Sequence, residues 1–187
     1  MTSRTLLLPL ALLAATPLAP TLPLIAQAAP AATPAPPAAN PADVASEDAI
    51  LKALYDVISG PAGQKRNWDR MRSLFQPGAR LIPTGKAQDG SWRHRNWSVD
   101  EYITTAGVTL EERGFFEIEV ARKTERYGNI VHVFSTYESR WKPEDAQPFQ
   151  RGINSIQLRY DGTRWWVITV LWQGESPEFP IPEKYLR

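Results

Sequence analysis

Apolar residues recur at helical spacing in the first half of the folded sequence and at every second position in its last third. Ser46 and two following acids begin a predicted first helix, whose apolar positions lie three and four residues apart until Gly60-Pro61 ends it. The same criteria predict a second helix over 64–75 and a third over 98–114. Between these two, the sequence predicts a short strand over 79–83 and a polar loop or hairpin over 84–96.

After Gly114 the period changes to two, which is typical of half-buried strands. Four long strands are predicted, over 115–125, 130–141, 150–160 and 164–173. Short turns at Gly128 and Gly162 favour antiparallel hairpins. The sequence therefore predicts an α+β domain in which three N-terminal helices pack on one face of a curved, mostly antiparallel sheet.

The first 45 residues differ in composition from the rest of the chain. A basic start, an apolar run and small residues at 26–28 predict a cleaved signal peptide over 1–29. A membrane anchor is disfavoured because four prolines interrupt the segment. Residues 30–45 are predicted to be a Pro/Ala-rich tether that buries nothing, and residues 46–187 the folded domain. We therefore expect an exported protein, periplasmic or secreted, without a stable membrane anchor.

Composition excludes several kinds of site. The 21 basic and 20 acidic residues nearly cancel, which argues against a nucleic-acid partner held by bulk electrostatics. The chain has no cysteine, so disulfides, thiolate metal sites and cysteine nucleophiles are excluded. The two histidines, His94 and His132, are too few for a three-histidine metal site. We expect neither a metal nor another cofactor.

Three local sequences resemble the nuclear transport factor 2-like superfamily. They are NWDRMRSLFQPGARLI over 67–82, WSVDEYI over 97–103 and YDGTRWWVITVLW over 160–172. They are similar to polyketide-cyclase-like and ketosteroid-isomerase-like members of that superfamily. The resemblance covers residues 46–175 and implies a cone-shaped α+β barrel with a cavity, in a superfamily where homodimers are frequent. Because this fold hosts isomerases, dehydratases, cyclases, hydrolases and binding proteins, the resemblance implies no single activity.

The last strand lacks the acid or base that enzymes of this superfamily commonly carry there. A three-residue turn at 161–163 would place Asn154 opposite Val170 and turn Trp166 and Trp172 inward. Asn154 is then either an amide that orients a ligand or a satisfied core amide. The inward tryptophans either line an aromatic cavity or complete ordinary core packing.

Strand 130–141 has an apolar face with hydroxyl groups, which we place inward with Ser135 and Tyr137. This choice leaves His132 outside, although a general base would have to face the cavity.

In strand 115–125, Arg122 is expected on an inward face with Phe116, Ile118 and Val120. Arg122 could clamp an anionic ligand there, but a salt bridge to a helix acid such as Asp56 or Asp69 is favoured.

Trp165, Val167 and Leu171 are expected on the outer sheet face, where an apolar strip favours a homodimer contact. Two functions remain open. The favoured one is an exported accessory protein, or one that binds a small, partly apolar molecule without catalysis. The alternative is a cofactor-independent isomerase, dehydratase or cyclase that uses Tyr137 and His132. The enzyme hypothesis predicts His132 or an inward carboxylate beside Tyr137, and the binding hypothesis predicts a dry aromatic pocket.

Overall fold

The computed structural model describes residues 35–187. The predicted signal peptide and the first part of the tether lie outside the described residues. Within residues 35–187, no helix combines the length and the apolar character needed to cross a membrane.

Helices dominate the first half of the described chain, and side-chain caps fix where they begin. The helical segments are α1 (Pro41–Val44), α2 (Glu47–Ile58), α3 (Trp68–Leu74), α4 (Val99–Tyr102), a π-helical turn (Ile103–Gly107) and α5 (Val108–Arg113). Asn40, Ser46, Asn67 and Ser98 each accept a backbone N–H at the start of a helix. The three predicted helices are confirmed as α2, α3 and the continuous helical stretch from α4 to α5.

The tether prediction is wrong for its last residues. Val44 in α1 is buried in the core, and the Asp43 carboxylate accepts hydrogen bonds from Arg70 Nε at 2.7 Å and Nη2 at 3.0 Å. Pro41 suits the first turn of α1, where a backbone N–H would have no helical partner. The folded domain therefore begins before Ser46.

Six strands form one curved sheet. They are β1 (Phe75–Lys86), β2 (Trp92–His94), β3 (Phe116–Tyr127), β4 (Ile130–Arg140), β5 (Gln150–Tyr160) and β6 (Trp165–Gly174), in the order β2-β1-β6-β5-β4-β3. Only the β1–β6 pair is parallel within the described chain. The α+β class and the mostly antiparallel sheet are confirmed, but the sheet does not close into a barrel, because β2 and β3 remain edges.

The helices cover one face of this sheet, which we call the inner face. Ile50 and Leu51 of α2 and Met71 and Leu74 of α3 are almost fully buried against it. The sheet contributes buried apolar residues to the same core, among them Val133, Ile156 and Val167. We call the opposite face the outer face.

Residues 175–187 form a tail along the outer face. The Thr136 hydroxyl donates to the backbone oxygen of Tyr185 at 2.5 Å, and the Tyr185 ring lies 5.1 Å from that of Phe134. A cleft of about 570 Å³ lies between the tail and the sheet, and Phe179 and Ile181 line it. The tail occupies part of the face for which a homodimer contact is expected, and dimerisation stays a prediction.

Candidate active site

The turn between β5 and β6 differs from the predicted one and changes which tryptophans face inward. Tyr160 pairs with Trp165 across a four-residue turn, in which Asp161 Oδ1 accepts the N–H groups of Thr163 and Arg164 at 2.8 and 2.9 Å. A bulge further along β5–β6 shifts the register once more. Asn154 therefore lies opposite Trp172, and the predicted pairing of Asn154 with Val170 is wrong.

The same shift exchanges the faces of Trp165 and Trp166. Trp166 lies on the outer face opposite Arg159, and its indole N–H donates to Asp161 Oδ2 at 2.6 Å. Trp165, expected outside, packs against the core. The assignment of Trp166 to the pocket is therefore wrong, because a change of one residue in the turn reverses the faces of a strand.

A second bulge lies in the edge strand β3. Glu119 pairs with Tyr137 and Ala121 with Thr136, so Val120 is left without a partner. Glu117 and Glu119 face inward before the bulge, and Arg122 faces inward after it. Ile118 and Val120, expected inside together with Phe116, are 51% and 42% exposed. The inward orientation of Arg122 is confirmed, whereas the face predicted for the first half of the strand is wrong.

A cavity of about 110 Å³ lies between the helices and the inner face. Most of its wall is apolar, and the lining residues are Leu54, Tyr55, Ile58, Met71, Leu81, Tyr102, Phe115, Glu117, Asn154, Val170 and Trp172. Of the residues predicted for the pocket, Asn154 and Trp172 line this cavity. Ser135, Tyr137, Arg122 and Trp166 do not.

Glu117 is the one acidic residue of this lining. Its carboxylate accepts hydrogen bonds from Ser139 Oγ at 2.8 Å and from Asn154 Nδ2 at 3.4 Å. No ion pair with Glu117 forms within residues 35–187. Burial raises the pKa of the Glu117 carboxyl to about 7, although both hydrogen bonds act in the opposite direction. The cavity therefore contains a group that can gain and lose a proton near neutral pH.

Tyr55 links this cavity to a polar chain behind it. Its hydroxyl lies 2.6 Å from Ser135 Oγ and accepts a hydrogen bond from Asn154 Nδ2 at 3.1 Å. Ser135, which is fully buried, also donates to Glu119. Glu119 in turn accepts a hydrogen bond from Arg122 Nε at 2.6 Å.

Arg122 and Glu119 lie in a groove of about 350 Å³ between α2 and β3. Arg122 Nη1 also contacts Asp48 of α2 at 2.7 Å. The favoured interpretation of Arg122, a salt bridge to a helix acid, is confirmed in kind. The partner is Asp48 rather than Asp56 or Asp69, because Arg122 lies beside the first turn of α2.

Tyr102 and Tyr137 complete the surroundings of Glu117. Burial and the negative charge of Glu117 both raise the pKa of each phenol above its usual value. Neither hydroxyl has a hydrogen-bond partner within residues 35–187. Tyr137 lies across Gly152, where a Cβ atom would come within 2.5 Å of the Tyr137 oxygen. Only Tyr102 reaches the cavity wall.

His132 lies on the outer face, as the pattern of strand 130–141 predicts. Its Nε2 atom is 2.9 Å from Ser155 Oγ. The sheet separates His132 from the cavity, so it is not a general base for this site.

Solved structures with little sequence similarity share the architecture. The chain is similar to a protein of unknown function with a cystatin-like fold from Nostoc punctiforme, at 12% identity and a TM-score of 0.51 over 70% of this chain and 91% of that one. An uncharacterised protein with a cystatin-like fold from Caulobacter vibrioides has 11% identity and a TM-score of 0.50, over 70% and 88% of the two chains. A protein from Silicibacter pomeroyi described as NTF-2 like has 13% identity and a TM-score of 0.47, over 70% and 94%.

The chain has the nuclear transport factor 2-like fold. The predicted resemblance is confirmed at the level of this fold, because identities this low show nothing finer. No protein-family model matches the sequence, and no curated protein matches it significantly.

In this nuclear transport factor 2-like domain, sequence analysis missed Glu117. Because Ile118 and Val120 are apolar, the face of β3 that carries them was predicted to point inward. Glu117 lies on the other face. A signal was present, however, because Ser139 and Asn154 are polar residues on faces that were correctly predicted to be buried. Buried polar groups need partners, and an acid on the adjacent strand could supply one.

Proposed function

We propose that this chain is a cofactor-independent enzyme that moves a proton within a small, partly apolar substrate, with Glu117 as the acid–base group. The observation that carries this proposal is a carboxyl group in an apolar cavity with no cation beside it. An unpaired buried carboxylate opposes folding unless it is protonated, so packing alone accounts for it poorly. Isomerases, dehydratases and cyclases all need such a group.

The neighbours of Glu117 suit proton abstraction next to a carbonyl. Glu117 would take the proton from carbon and return it at another position, which is an isomerisation. The negative charge that develops on the carbonyl oxygen needs a donor, and the unpartnered Tyr102 hydroxyl lies in the same cavity wall. A pKa of about 7 supports this role, since a general base works best when its pKa is near the working pH.

Cavity size limits the reacting part of the substrate. A cavity of roughly 150 Å³ in another protein holds benzene. The 110 Å³ here therefore suits a five-membered ring or a short branched chain.

Deuterium exchange at carbon tests the proposal. Cyclopentanone and cyclopent-2-enone are incubated with the protein in D₂O, and incorporation next to the carbonyl is followed by proton NMR. We expect the wild-type protein to accelerate exchange and Glu117→Gln to reduce it by about 10²- to 10⁴-fold, the usual contribution of a positioned acid–base group. Glu125→Gln is the matched control, because Glu125 is exposed on the same strand. Exchange at the buffer rate, or full activity in Glu117→Gln, would contradict the proposal.

Binding without catalysis is the second candidate, and the largely apolar wall of the cavity favours it. Trp172 lies in that wall, so occupancy by either ketone should change tryptophan fluorescence. Saturable binding with no deuterium exchange would support this function over the first.

A further inference from the structure

We propose that the cavity selects a carbonyl compound that also carries an N–H or O–H donor, such as a lactam or a hydroxy-ketone. The selecting atom is Asn154 Oδ1, and a chain of hydrogen bonds that begins outside the cavity at Arg122 fixes its direction. This inference deepens the proposed function and rests on it, because the same cavity must be the ligand site.

The outer end of the chain has only one possible direction. The Arg122 guanidinium donates from Nε to Glu119 Oε1 at 2.6 Å and has no acceptor atom. An ion-paired carboxylate such as Glu119 can only accept. The single proton of the Ser135 hydroxyl therefore goes to Glu119 Oε2.

The donors of the next two hydrogen bonds, at Tyr55, follow from this. Because the Ser135 proton is already used, the contact of 2.6 Å between Tyr55 Oη and Ser135 Oγ requires Tyr55 to donate. The Tyr55 oxygen can then only accept from the cavity side, and it accepts from Asn154 Nδ2 at 3.1 Å. Tyr55 thus has no proton to offer a ligand, in contrast to Tyr102.

Both N–H groups of the Asn154 amide are engaged as a result. One points to Tyr55 and the other to Glu117 Oε1 at 3.4 Å. The flipped amide would set its oxygen against the Tyr55 oxygen, which has no proton left to donate, so the network holds the amide in one orientation. Asn154 Oδ1 has no partner within residues 35–187 and is not enclosed by protein atoms, which leaves it facing the cavity.

Besides the Glu117 carboxyl, the cavity wall therefore presents one free acceptor, Asn154 Oδ1, and one free donor, the Tyr102 hydroxyl. A ligand that offers an N–H or O–H to Asn154 Oδ1 and a carbonyl oxygen to Tyr102 satisfies both. A ligand of equal size without the donor leaves a buried acceptor unsatisfied, which disfavours binding.

Two five-membered rings of nearly equal size separate these cases. 2-Pyrrolidinone carries an N–H where γ-butyrolactone carries an oxygen. Dissociation constants are measured by tryptophan fluorescence and by NMR titration of the full chain. We expect the wild-type protein to bind the lactam about tenfold more tightly, the effect of one hydrogen bond of about 1.4 kcal/mol. Equal binding, tighter lactone binding or no binding of either ring would overturn the assignment.

Glu119→Gln tests the chain of hydrogen bonds without changing the cavity wall. A glutamine there accepts from Arg122 and donates to Ser135, so the Ser135 proton turns to Tyr55 and the Tyr55 proton turns to Asn154. The amide then flips, and we expect the lactam preference to disappear or reverse. Glu125→Gln, the same change at an exposed position of the same strand, should leave the preference intact. An unchanged preference in Glu119→Gln would show that the chain of hydrogen bonds does not fix the orientation of the Asn154 amide.

Ser135→Ala provides a second route if Glu119→Gln folds poorly. It removes the acceptor of the Tyr55 proton and should also abolish the preference, whereas Ser139→Ala, outside the chain, should retain it. Ring selectivity and deuterium exchange are independent readouts. Selectivity without exchange in the ketone assay would contradict the proposed catalysis alone, and exchange without selectivity would contradict this inference alone.

Discussion

Glu117 and Glu119 lie two residues apart on the same face of β3, but their surroundings give them opposite roles. Glu117 lies in an apolar cavity without a cation, and its pKa is raised to about 7. Glu119 pairs with Arg122 at 2.6 Å in the groove beside α2. The comparison shows that the nearest cation, rather than strand position alone, decides the chemistry of a carboxyl group.

The largest expected effect is on stability at alkaline pH. The folded protein keeps a proton on Glu117 up to about pH 7, whereas the unfolded chain loses it near pH 4.5, the ordinary pKa of a glutamate. The contribution of Glu117 to stability is therefore fully present below pH 4.5 and falls as pH rises to 7, by about 3 kcal/mol.

Glu117→Gln removes this dependence. We expect the variant to be more stable than the wild-type protein by up to about 3 kcal/mol at pH 8, with the difference shrinking towards pH 4.5. Urea denaturation of both proteins at the two pH values measures the difference, and Glu125→Gln corrects for the loss of one surface charge. A pH-independent difference would show that Glu117 is not buried in the folded protein.

Ser139→Ala removes one of the two hydrogen bonds that the Glu117 carboxylate accepts. The Ser139 hydroxyl donates to Glu117 and favours its ionised form. Its removal should raise the pKa of Glu117 further above 7 and cost roughly 1 kcal/mol of stability at pH 8. Carbon-detected NMR of glutamate side chains across the pH range gives the pKa. A lower pKa in Ser139→Ala would contradict the assigned direction of this bond.

Arg122→Ala should leave Glu119, like Glu117, without its neighbouring arginine. Because the Arg122 side chain is 32% exposed, solvent weakens its ion pairs, and we expect a loss of about 1 kcal/mol in urea denaturation. Arg126→Ala is the matched control, since Arg126 bonds Glu47 of α2 from the same face but is 59% exposed. An Arg126→Ala loss as large as that of Arg122→Ala would show that Glu119 gains nothing particular from its cation.

Deletion of Val120 should have the smallest effect. Val120 is the residue without a partner in the β3 bulge, and without it Glu119 and Ala121 would continue a regular ladder with β4. Glu117 and Arg122 would both still face inward, so we expect a stability change below about 1 kcal/mol and an unchanged pKa of Glu117. Loss of the raised pKa would show that the bulge itself aims Glu117.

The sequence predicted the layers of this fold better than its faces. Helical spacing in 46–59 and alternation in 130–141 are long, regular signals, and the structure confirms both. The faces of β3 and β6 depend on bulges and on a turn that Asp161 closes, and one residue reverses each assignment.

The candidate site was predicted only in part for the same reason. Asn154 and Trp172 were found because they lie on faces with clear apolar patterns. Glu117 alternates with exposed apolar residues on an edge strand, where exposure of Ile118 and Val120 costs little. Tyr55, which lines the same cavity, lies 62 residues earlier in the chain, on α2, and no local pattern connects it with Glu117.

The tail over residues 175–187 competes with a second copy of the chain for the outer face. Because it belongs to the same chain as the sheet that it covers, it acts at an effective concentration in the millimolar range. A second copy at micromolar concentration cannot displace it by contacts of similar quality. Self-association through the part of this face that the tail covers must therefore include the tail in the interface or exchange it between two copies, as in a domain swap.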